Sequence, residues 1–191
     1  MDLQFYLENT RYASENLLRL VWEQKQEYAR LLQEHEQVKE QRESCYAPVS
    51  HKGIGTTKED LDVKIEELIM AKEIKVNSIQ VLSGALLQIA KQGMSIVHGD
   101  FNNWPAGKEI QGNGQRVTLK EIIRHGRNQA MHFEEDLYEE TKEFFDRLAV
   151  VAGDDALSAR KHPGKNLAFQ VVQFLHWNDY ASYESDMLLM Q

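Results

Sequence analysis

From Leu3 to about Arg42 the chain contains neither proline nor glycine, and Leu3, Leu7, Leu17, Val21, Tyr28, Leu31 and Val38 recur at roughly 3.5-residue spacing. That spacing predicts one long amphipathic helix. Through Pro48, Gly53 and Gly55 the residues are turn formers, and Thr57 with Asp60 three positions on makes a capping box for a second helix. This one carries Leu61, Ile65, Leu68, Ile79, Leu82, Leu86, Ile89 and Ile96 to about His98, where Gly99 is a natural stop. Two helices of about 40 residues, each about 60 Å long, fold back most simply as an antiparallel hairpin. Lys72 and Lys75 interrupt the apolar repeat, which predicts a partly open middle.

Beyond the hairpin the punctuation is denser. Gly99 to Val117 reads as loop, with a tight turn at Asn113-Gly114, and Phe101 and Trp104 are expected to pin it to the helices rather than to stack on bases. Thr118 and Glu121 form a further capping box, followed by an apolar stripe of Leu119, Ile122, Ile123, Gly126, Ala130, Phe133 and Leu137. Tyr138, Phe144, Phe145, Leu148 and Val151 keep helical periodicity to Gly153, and the pattern leaves open whether the chain kinks at Glu134-Glu135-Asp136. Asp154 to Gly164 is loop, Lys165 to Trp177 a helix, and Tyr180 to Met190 a short last one. The fold class is all-α: an up-and-down bundle of four to five helices with a long N-terminal hairpin, in a single domain spanning residues 1–191.

The balance of 22 Lys plus Arg against 30 Asp plus Glu gives a net charge of -8, which repels a long phosphate track. Nucleic acid can be held only by a local basic patch, so the position of the cations matters more than their number. The single cysteine, Cys45, excludes an internal disulfide and a cysteine-based zinc site and fits a reducing compartment. With no basic leader before an apolar run and no apolar stretch of about 18 residues, the expectation is a soluble, cytoplasmic protein without a membrane partner.

The third helix concentrates positive charge. Its apolar stripe occupies one side, and Lys120, Arg124, Arg127, Asn128 and His132 spread over the other, with Arg116 just upstream and acidic residues starting only at Glu134. The helix dipole adds to that potential at its N-terminal end. Gly126 and Ala130, one turn apart on the buried side, allow another helix to approach closely, leaving Arg127 and Asn128 at the edge of the contact. Arg127 offers a planar fork for a phosphate, and His132 exchanges protons near neutral pH. Arg30 and His35 have the same spacing on ordinary helix surface; the amide Asn128 and the basic face distinguish the later pair.

Arg127, Asn128 and His132 resemble the motif of the HEPN superfamily: an arginine, a polar residue, and a histidine four to six positions after the arginine. The resemblance covers the helical layout from about residue 57 to the end. It implies a metal-independent RNA endonuclease, of toxin or defence type, whose homodimer brings two motifs together and which can have an antitoxin or effector partner. In that reading Arg127 neutralises the phosphate, Asn128 orients, His132 transfers a proton, and Lys120, Arg124 and Arg116 hold the RNA, with no cofactor. A subgroup regulated by nucleotidyltransferase antitoxins carries a tyrosine two residues after the histidine; here that residue is Glu134. The alternative is a catalytically silent dimerisation or interaction module of the same type.

Other chemistries fit less well. His125 and His132 lie two turns apart, too far to share one ion, while His132 and Asp136 need a third ligand such as His98 or His176. Arg160, Lys161, His162 and Lys165 cluster around Pro163-Gly164 and read as a solvated loop. No glycine-rich phosphate loop or nucleophile elbow is present.

Overall fold

Helices α1 (Leu3–Ser44) and α2 (Lys58–His98) run for 42 and 41 residues and form the long hairpin. They are followed by strands β1 (Glu109–Gly112) and β2 (Gln115–Thr118) and helices α3 (Leu119–His132), α4 (Glu139–Ala152), α5 (Ala168–Phe174) and α6 (Tyr180–Leu188). This is a computed structural model that describes residues 2–44 and 57–191. The turn through Pro48, Gly53 and Gly55, and Cys45 with it, lie outside the described residues. Within them the chain is all-α apart from one antiparallel strand pair.

The chain divides into two compact units, Trp22–Ile79 and Met1–Val21 with Gln80–Gln191. In the first, Val38, Leu61 and Leu68 are buried, with Leu31 and Ile65 packed beside them. Ion pairs flank this apolar seam: Arg42 with Asp62, Lys64 with Glu34 at 3.2 Å, and Lys75 with Glu27. Positions fall on α1 as they rise on α2, as antiparallel pairing requires. Lys75 also donates to Gln24 Oε1 at 2.9 Å, so the lysine that interrupts the apolar repeat is used to join the helices. Exposed pairs of this kind contribute about 0–1 kcal/mol each, which leaves the seam as the main stabilising element.

The second unit holds the larger core, built from Leu3, Leu7, Leu86, Leu87, Met94, Ile122, Ile123, Phe144, Phe145, Val171, Val172, Trp177, Tyr183 and Met187, all nearly inaccessible. Close approaches depend on small residues. A Cβ on Gly126 would lie 3.2 Å from Val171 and 3.4 Å from Leu87, and one on Gly84 3.3 Å from Ala130. As the sequence predicts, α3 presents Gly126 and Ala130 where α2 and α5 come nearest.

The expected turn at Asn113-Gly114 closes a β-hairpin, with Gly112 opposite Gln115 and positive φ at Asn113 (49°) and Gly114 (76°). Paired positive φ values match the right-handed twist of the flanking strands. Asn113 donates to Val150 O at 2.8 Å, a carbonyl in the last turn of α4 that also accepts the Gly153 N–H at 3.2 Å. Gly153, with φ 64°, stops that helix as anticipated.

The long periodic stretch from Leu119 to Val151 is two helices. The stripe does not carry through Phe133 and Leu137, which are half-buried in the connection. Glu134, Glu135 and Asp136 would sit unfavourably at a helix C-terminus, whereas Glu139 and Glu140 are well placed in the first turn of α4. The helix expected over Lys165 to Trp177 shrinks to α5 because Lys165, Asn166 and Leu167 spend their polar groups on local and α3 contacts, and His176 turns to φ 56°.

A Cβ on Gly112 would fall 2.1 Å from the Val151 carbonyl oxygen, a backbone atom with no room to retreat. Gly112→Ala is therefore expected to destabilise the protein by about 1–3 kcal/mol in urea unfolding, whereas Gly99→Ala, with nothing near its Cβ, costs mainly its positive φ, about 1 kcal/mol.

Candidate functional site

Helix α3 begins where the sequence says it should. Thr118 Oγ1 accepts the Glu121 backbone N–H, and the Glu121 carboxylate accepts both the Thr118 N–H at 2.9 Å and its hydroxyl at 2.8 Å. Arg147 of α4 donates to the other Glu121 oxygen at 2.6 Å. The cap thus also ties α3 to α4.

Lys120, Arg124 and Arg127, spaced four and three apart, form one row along the outer face of α3. The connection before the strands packs onto its start. Phe101 lies beneath the Arg124 guanidinium at 4.1 Å and the Lys120 ammonium at 4.5 Å, and meets Trp104 edge-on at 5.4 Å. Lys120 also donates to Trp104 O at 3.0 Å, and Trp104 donates to Gly99 O at 3.1 Å. Phe101 and Trp104 therefore pin the loop, as expected.

The predicted basic residues separate electrostatically. Arg116 lies 3.5 Å from Glu109 and Arg124 3.4 Å from Glu140. Arg127 differs: its Nε donates to Gln88 Oε1 of α2 at 2.6 Å and its Nη1 to Asn128 Oδ1 at 3.3 Å, both neutral amide oxygens. Among the described residues no carboxylate lies within ion-pair distance of it. Arg127 is half-buried, so its charge is oriented but not cancelled. The HEPN resemblance implies an orienting role for Asn128. It gave no notice of Gln88, whose only signal is a polar residue inside the apolar run Leu86-Leu87-Gln88-Ile89.

His132 is the last residue of α3 and about half exposed, with Nδ1 3.2 Å from Glu135 Oε1. A proton held on Nδ1 toward that carboxylate leaves Nε2 as the basic nitrogen. Arg127 and His132 point about 140° apart around the helix, with Asn128 between them, so one copy displays its cation and its base on adjoining faces.

Lys120 and Arg116 also line an open cleft of about 600 Å³ with Phe101, Glu109, Glu121 and Arg147. Arg124 and Arg127 are absent from its lining. Of the predicted basic residues, Lys120 and Arg116 thus face the cleft at the start of α3, and Arg124 and Arg127 continue the row beyond it.

The groups weighed as metal ligands have other partners here. Asp136 is engaged by Lys142 at 2.6 Å, which holds its carboxyl below the usual range, and His98 shares a hydrogen bond with Met190 O at 2.9 Å. No cluster of three His, Cys, Asp or Glu side chains able to hold an ion occurs among the described residues. Arg160 pairs with Asp146 and Glu139, and Lys161 with Asp155 at 2.7 Å, so these two cations are held in surface ion pairs. No described helix is long and apolar enough to cross a membrane.

Two buried polar residues of α3 set its position. Gln129 donates to Lys165 O at 2.6 Å and accepts from Leu167 N–H at 2.8 Å, fastening α3 to the segment before α5. His125 stacks on Phe144 at 4.7 Å and shares a hydrogen bond with Thr141 Oγ1 at 3.3 Å. Comparison of the chain with protein-family models, curated proteins and solved structures gives no match.

Burial pushes the His125 pKa down to about 4, against the opposing pull of Glu140. The folded state thus keeps this imidazole neutral. Below an ordinary value of 6.5 the unfolded chain takes up a proton that the folded chain refuses, so stability falls as pH drops from about 6.5 toward 4 and is fully present above. The expected loss is up to about 3 kcal/mol at 1.36 kcal/mol per pH unit. In urea unfolding at stepped pH, His125→Gln should flatten the decline over that window.

Proposed function

We propose that the protein is a metal-independent RNA endonuclease of HEPN type that works as a homodimer pairing two copies of the α3 motif. The observation that carries this reading is the Arg127 guanidinium held by two amide oxygens, from Gln88 and Asn128, with no compensating carboxylate. A phosphodiester brings the missing negative charge. Phosphoryl chemistry depends chiefly on positioning and on neutralising the charge that develops on phosphorus oxygens, and a fixed arginine fork does both without a metal ion.

In the proposed reaction the ribose 2′-OH gives its proton to His132 Nε2 as the 2′ oxygen bonds to phosphorus. The bond to the 5′ oxygen breaks, and that oxygen departs with a proton supplied by the second copy of the motif. The products are a 2′,3′-cyclic phosphate and a 5′-OH end. Glu135 orients His132 through the contact at Nδ1. Lys120 and Arg116, at the cleft, and Arg124, next along the row, guide the backbone by charge. The need for a 2′-OH makes RNA rather than DNA the substrate.

In EDTA, the purified protein is expected to cleave a mixed RNA panel. Arg127→Ala and His132→Ala, checked for unchanged helix content by circular dichroism, should each lower the rate by about 10²–10³-fold. Gln88→Ala should lower it about tenfold through misplacement of Arg127, with His132 and its pH profile unaffected. A folded wild-type protein that cuts no RNA would favour the silent interaction module.

A further inference from the structure

Between Gln80 and His98, α2 carries a single Lys, Arg, Asp or Glu side chain, that of Lys91. This stretch belongs to the same compact unit as α3. The contacts between the two helices settle which way Lys91 faces. Gly84 lies against Ala130, Leu87 against Gly126, and Gln88 accepts from Arg127, so positions rise on α2 as they fall on α3. Lys91 is one turn beyond Leu87 and about 40° from it around the helix, on the α3 side. Continuing the antiparallel pairing by one turn from Gln88 and Arg127 sets Lys91 beside the Arg124 turn of α3.

The residues it meets there carry the same charge. Lys120, Arg124 and Arg127 form a row about 10.5 Å long at 1.5 Å per residue. Arg124 lies 3.4 Å from Glu140, whereas the Lys120 ammonium donates to Trp104 O and lies over Phe101, and the Arg127 guanidinium donates to two amide oxygens. Among the described residues, no carboxylate lies within ion-pair distance of Lys91, Lys120 or Arg127. The one acid of α3, Glu121, is engaged by the Thr118 cap and by Arg147. Lys91 is half-buried, so its charge is held near the others rather than free in solvent. Cations gathered on facing helices repel one another, and a bound polyanion reverses that cost.

We propose that Lys91, together with Arg124 and Lys120, holds the RNA phosphate next to the one that Arg127 holds. The strand then follows the α2–α3 seam from the Arg127 fork toward the start of α3, with two adjacent phosphates matched by cations of both helices. This rests on the reading of Arg127 as the ligand of the cleaved phosphate. A lysine suits the neighbouring position, because its ammonium is a point charge on a flexible stem, while the arginine fork fixes the phosphate that reacts. Contacts of this kind set affinity and register without reading the bases.

The test is binding rather than cleavage. A single-stranded oligonucleotide of 2′-deoxy residues, which offers the phosphates without a 2′-OH, is titrated by fluorescence anisotropy over a series of salt concentrations. The proteins compared are the wild type, Lys91→Gln, Lys91→Arg and Lys161→Gln, with circular dichroism to confirm equal helix content. Lys91→Gln should weaken binding and lower the slope of log affinity against log salt by about 0.7, the share of one single-strand phosphate contact, while Lys91→Arg keeps the slope. Lys161→Gln, which removes a lysine paired with Asp155, should match the wild type. An unchanged slope in Lys91→Gln, an equal fall in Lys161→Gln, or a wild type that does not bind would overturn the site. RNA left uncut beside a lowered Lys91→Gln slope would defeat the ribonuclease reading and keep the phosphate site, and cleavage beside an unchanged slope would do the reverse.

Discussion

The structure around the candidate site depends on one steric allowance, the missing side chain at Gly126. Because α3 carries no Cβ there, Leu87 of α2 and Val171 of α5 reach contact distance with its backbone. That approach brings Gln88 within reach of the Arg127 guanidinium, one residue along α3 from the glycine. Gln129 locks the same helix from its buried side by holding both Lys165 O and the Leu167 N–H. Packing and polar satisfaction thus act together. A buried amide is costly unless bonded, and Gln129 is bonded to groups that place α3 in one position.

That arrangement leaves Arg127 oriented but uncompensated in an acidic chain. Most cations of α3 and its surroundings are matched with carboxylates, as Arg116 is with Glu109, Arg124 with Glu140 and Arg147 with Glu121. These pairs weaken the local field. Arg127 is exempt because its partners are amides, which orient a guanidinium without neutralising it. A net charge of -8 suppresses indiscriminate binding to polyanions, while Arg127 keeps its own charge uncompensated on α3.

Much of this was legible from residue order. The two long helices, both capping boxes, the Asn113-Gly114 turn and the Gly153 stop follow from periodicity and local backbone preferences, which act over a few residues. What was not legible depends on contacts distant in sequence. The partners of Arg127 and Gln129 lie 39 and 36 residues away, and nothing local marks them. The acidic run Glu134-Glu135-Asp136 left a break undecided because apolar spacing persists across it; the unfavourable charge at a helix end was the better guide. Likewise the basic residues of α3 could be listed from sequence, but which of them keep an uncompensated charge depends on Glu109 and Glu140, which are brought close only by folding.

The central claim is that α3 holds an arginine and a histidine for in-line attack by a ribose hydroxyl. It is tested most directly by the end chemistry of an oligonucleotide cut in EDTA, set beside the same oligonucleotide with 2′-deoxyribose at the cleaved position. The account predicts a 2′,3′-cyclic phosphate and a 5′-OH from the RNA and an intact deoxy-substituted strand. Cleavage of both strands, or a linear 3′-phosphate formed without a cyclic intermediate, would contradict it.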